Sequence, residues 1–94
     1  LWGYFDDICQ VPRPSKKEEK IIQFLMDFGK KHQLETLQDE TGNILIRKGA
    51  TKGYEDKPWV VMQSHIDMVC EKNSDVEFDF EKDAIIPKID GEWV

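Results

Sequence analysis

The stretch Trp59-Val60-Val61-Met62-Gln63-Ser64-His65-Ile66-Asp67-Met68-Val69 decides how the rest of the chain is read. Its first half is an apolar run rich in β-branched residues and entered through Pro58. Such a run predicts a short strand over 59–64, buried on both faces in the middle of a sheet that helices cover. The run stops at Ser64, His65 and Asp67. Polar groups at the carboxyl end of a buried strand stand where open α/β sheets display their ligands. The expected fold class is therefore α/β, with helices packed on a mixed sheet whose parallel core includes a buried central strand.

The His-x-Asp pair has a chemistry of its own. Residues i and i+2 of an extended segment point to the same side, roughly 6 to 7 Å apart along the backbone. A carboxylate at Asp67 can then lean on the imidazole of His65, fixing its tautomer and leaving the other ring nitrogen to bind a metal. Spacing alone also fits a histidine and an aspartate that bond loop backbone at a strand end, and on local grounds this structural reading leads. Ser64 and Met68 flank the pair, where packing is the better reading of each.

Upstream, Trp2, Tyr4, Phe5 and Ile8 fall at near-helical spacing and predict a short amphipathic helix, ended by Pro12 and Pro14. Ser15-Lys16-Lys17-Glu18 has the form of a capping box, which starts a second helix at Lys16. Ile21, Ile22, Leu25, Met26 and Phe28 are its apolar stripe, and the helix covers the sheet. His32 ends it among lysines, as a partner for the helix dipole or a plain surface residue. Residues 34–39 and 43–48 read as strands joined through Glu40-Thr41-Gly42, a loop suited to a hairpin. Gly49 to Lys57 is a surface loop.

Downstream, acidic residues alternate with Val76, Phe78 and Phe80 between Glu71 and Asp83, which marks an edge strand or surface excursion rather than an acidic metal cage. Ile85 to Ile89, Asp90-Gly91 and Glu92 to Val94 begin another hairpin, for which Asp-Gly suits a type I′ turn. The chain breaks off in that second arm and opens on Leu1 rather than methionine, so a trimmed piece of a longer protein is expected. There is no internal repeat and no low-complexity tract.

Composition excludes several classes. The 94 residues carry a net charge of -6, whereas nucleic-acid binding calls for clustered Lys and Arg. No apolar run approaches the ~18 to 20 residues of a membrane span, and no signal peptide opens the chain. Cys9 and Cys70 lack the spacing of a zinc ribbon. They read as reduced thiols of a cytoplasmic protein, with Cys70 a small buried hydrophobe rather than a ligand.

Separated blocks carry a family resemblance along nearly the whole chain. They are Ile8-Cys9-Gln10-Val11-Pro12-Arg13-Pro14-Ser15 with Glu18-Glu19, then Asp39-Glu40-Thr41-Gly42-Asn43, then Gln63 to Val69 with Glu71-Lys72-Asn73-Ser74-Asp75, and finally Ile89-Asp90-Gly91-Glu92-Trp93-Val94. In this order they resemble the N-terminal portion of the aminoacyl-histidine dipeptidases, the histidine-dipeptide branch of the co-catalytic zinc exopeptidases. The resemblance implies that residues 1–94 are the first part of a catalytic domain interrupted by a separate lid or dimerisation domain, in a protein that pairs as a homodimer. It implies zinc-dependent hydrolysis of carnosine-like aminoacyl-histidine dipeptides at a site holding two zinc ions. His65 is then a zinc ligand and Asp67 the acidic residue beside it in the catalytic machinery. A bridging Asp, a Glu-Glu pair containing the general base, a further Asp and a distant His would all lie past Val94. The isolated stretch is accordingly expected to be inactive, and marginally stable or self-associating. A related zinc amidohydrolase acting on acylated amino acids, and a non-catalytic scaffold or interaction domain, are the alternatives.

Overall fold

A computed structural model describes residues Leu1–Trp93. Its regular elements are α1 (Trp2–Cys9), α2 (Glu19–Lys31), β1 (Glu35–Gln38) and β2 (Ile44–Arg47), two helices and a two-stranded sheet that together make an α/β fragment. The chain divides into two compact units, one formed by Leu1–Ile21 with the chain from Ile66 onward, the other by Ile22–His65.

In the first unit, α1 ends at a proline-flanked turn. Arg13 donates from Nη1 to the carbonyl of Ile8 at 2.5 Å and to that of Val11 at 3.3 Å. A cation thus joins Val11 N–H on the Ile8 carbonyl, one of the last four of α1, and reaches the Val11 carbonyl just past the helix. Cys9, 2% exposed, packs inside this unit, and its carbonyl accepts from Ile85 N–H at 3.0 Å. Trp2, Tyr4 and Phe5, the aromatic side chains of α1, are exposed. Lys17 pairs with Glu81, and Lys20 Nζ donates to the Glu81 carbonyl at 2.6 Å, so the turn at 80–82 is held by one side chain just before α2 and one in its first turn.

The second helix begins at Glu19, three residues later than the capping box predicts. Lys16 adopts φ 70, in the left-handed region. Glu18 reaches back to Lys16 N–H at 2.6 Å, and the Ser15 hydroxyl bonds elsewhere. The capping box is therefore not formed. Ile21 is 1% exposed and belongs to the stripe that the helical periodicity marks.

In the second unit, α2 stops by a Schellman motif. Gln33 takes φ 55, while Leu34 N–H reaches the Gly29 carbonyl at 2.9 Å and Gln33 N–H the Lys30 carbonyl at 3.1 Å. The chain turns directly into the hairpin. β1 and β2 run antiparallel with Thr36 opposite Ile46 and Leu37 opposite Leu45. Thr36, Ile44 and Ile46 are half-buried and alternate with exposed neighbours, the one-sided pattern of a strand with one face against other chain segments. Gly29 is required where it stands, because a Cβ there would lie 1.8 Å from Thr36 Oγ1.

The hairpin loop is organised by one carboxylate. Asp39 Oδ1 accepts from Thr41 N–H at 2.9 Å, Thr41 Oγ1 at 2.9 Å and Asn43 N–H at 2.8 Å, and Oδ2 accepts from Asn43 Nδ2 at 2.7 Å. These bonds, the Asn43 side chain foremost, lower the Asp39 pKa from 3.8 to about 2. Gly42, at φ 93, supplies the left-handed residue the loop needs.

Two expectations fail here. Residues 59–64 form no strand, and Trp59, Val60, Val61 and Met62 are 75%, 82%, 82% and 91% exposed rather than buried at the centre of a sheet. A strand exists only by giving its N–H and C=O groups to a neighbour, and the sheet of the described residues is the single pairing of β1 with β2. Beside β2, an open groove lined by Leu45, Ile46, Arg47 and Trp59 to Met62 lies where further packing would be needed. Cys70, read as buried, is exposed, whereas Cys9 is the buried thiol; both are free.

Residues 71–83 are a surface excursion with turns and no strand, in which Phe78 and Phe80 meet edge to face at 5.1 Å. The last turn falls one residue later than Asp90-Gly91 predicts. Asp90 and Trp93 exchange backbone bonds of 2.9 and 3.0 Å around Gly91-Glu92, and of these two central residues only Gly91 has positive φ, at 63. That is the type II′ pattern, with glycine at the first central position. The final residue of the expected second arm, Val94, lies outside the described residues.

Candidate functional site

The residues singled out by the sequence sit at the end of the apolar run. His65 is exposed and Asp67 half-buried. The backbone on the Asp67 side is pinned from within the first unit: Met68 N–H donates to the Arg13 carbonyl at 2.9 Å, and Ser15 N–H donates to the Met68 carbonyl at 3.1 Å. Pro14 and Met68 thereby form a parallel bridge. It is a single rung, and it clamps the residue after Asp67 to a proline-restricted segment.

The Asp67 carboxylate is held by the same segment. Ser15 Oγ donates to Asp67 Oδ2 at 2.5 Å and lies 3.3 Å from the Met68 carbonyl. A hydroxyl bonded to an ionised carboxylate makes one of the shorter and stronger neutral-to-charged bonds. Ser15 is the residue that sequence reasoning missed. The partners are 52 positions apart, and the only local signal at Ser15, the capping box, pointed to a different bond. Ser64 turns to the chain itself, its hydroxyl donating to the His65 carbonyl at 3.2 Å.

Next to the motif, a crevice of about 270 Å³ opens between Met68, Val69, Cys70, Phe78, Phe80 and Ile85. Its lining is mainly apolar and includes neither His65 nor Asp67.

Among the described residues, no group of three or more His, Cys, Asp or Glu is placed to hold a metal ion. A catalytic zinc takes three protein ligands and keeps a position for water. The residues described therefore do not make up a zinc centre by themselves. Among the described residues, no helix is long and apolar enough to cross a membrane.

No protein-family profile matches the chain. All of it, however, is similar to dipeptidases, and it spans about a fifth of the length of those it matches. It is 48% identical over 94 residues to the cytosol non-specific dipeptidase of Escherichia coli (strain K12), covering 100% of this chain and 19% of that protein. Among solved structures, aminoacylhistidine dipeptidase from Vibrio alginolyticus matches with a TM-score of 0.92 and 48% identity over 98% of this chain and 19% of that one. The resemblance to the aminoacyl-histidine dipeptidases carried by the sequence blocks is thus borne out at the level of sequence and of fold.

Proposed function

We propose that this chain is the first part of the catalytic domain of a cytoplasmic dipeptidase, a metal-dependent hydrolase that cleaves aminoacyl-histidine dipeptides. The observation that carries the reading is the 48% identity extending over every residue of the chain to a dipeptidase. In this reading His65 is a ligand of one of two zinc ions, and Asp67 steadies its imidazole in the ligating tautomer. Bound zinc would supply Lewis acidity and a water of lowered pKa. The other ligands and the general base come from parts of the intact protein outside this chain, which accounts for the incomplete donor set here. The 94-residue chain alone is then inactive, and the intact protein pairs as a homodimer.

The test is hydrolysis of β-alanyl-histidine by the intact protein before and after treatment with a zinc chelator, and again after zinc is restored. Cleavage lost on chelation and recovered with zinc is expected. Cleavage indifferent to chelation removes the metal from the reading, and a folded intact protein that cleaves no dipeptide returns the chain to the scaffold alternative. A second reading has an observation of its own. The relative from Escherichia coli is named non-specific, which favours a broader range of dipeptides; comparable rates on dipeptides with and without a C-terminal histidine would select it.

A further inference from the structure

We draw no further inference here: the strongest candidate, the apolar crevice of the first unit between residues 11–14 and 68–72 with the exposed thiol of Cys70 on its wall, carries nothing because nothing in the structure shows what covers it.

Discussion

The hairpin Glu35–Arg47 and the run Trp59–Ser64 carry similar sequence credentials and meet opposite fates. Both are rich in β-formers, and both are entered through turn-making residues. The hairpin closes on itself, with its ladder in register and its loop tied by Asp39. The run stays exposed and unladdered. The difference is the sequence distance to a partner. A hairpin strand finds its neighbour across a short loop at small entropic cost, whereas a strand buried on both faces needs neighbours on each edge and helices on each side. β-propensity measures fit to such a surface and cannot create one.

The largest expected effect lies on the organised side. Ile21→Ala removes the most completely buried large side chain and should cost about 2–5 kcal/mol in denaturant unfolding. Gly29→Ala comes next. Its Cβ would meet Thr36 Oγ1 at 1.8 Å and Thr36 Cβ at 2.8 Å, and overpacking of this sort costs about 1–3 kcal/mol, which outweighs the helix propensity that alanine adds. A stabilised Gly29→Ala protein would show that α2 and β1 are not as closely seated as described.

Acid should separate the two regions without mutation. The Asp39 pKa is lowered from 3.8 to about 2, so its contribution to the hairpin is complete above pH 3.8 and lost as pH falls towards 2. Hydrogen exchange of the Thr41 and Asn43 amides should accelerate across that window relative to base-line acid dependence, and Asp39→Asn should abolish the change. The smallest effect belongs to the exposed run. Val61→Lys should alter the stability of this chain by less than about 0.5 kcal/mol, as at an ordinary surface position. A multi-kilocalorie loss there would mean that residues 59–64 are packed after all.

How much of this was legible in the sequence follows the same division. The hairpin, its loop and the burial of Ile21 were readable because their causes are local: alternation, a Gly-containing turn and a helical stripe. The start of α2 was misplaced by three residues because the capping-box hydroxyl is taken by Asp67, and no local pattern reports a partner 52 residues away. The buried strand was misread for a related reason, since its periodicity describes an environment that residues 1–93 do not supply. His65 and Asp67 stand out in the sequence by their His-x-Asp spacing, but the serine that holds Asp67 was not legible. Cys70 looked like core only because free cysteines usually are.

The central claim is that His65 binds zinc in the intact protein, and zinc content answers it most directly. Native protein and His65→Ala, purified alike and confirmed as folded by circular dichroism, would be compared by elemental analysis and by chelator competition. The account predicts bound zinc in the native protein and a loss of more than about tenfold in affinity in the variant. Equal zinc in both, or none in a folded native protein, would contradict it and leave His65 as a histidine at the end of an exposed apolar run.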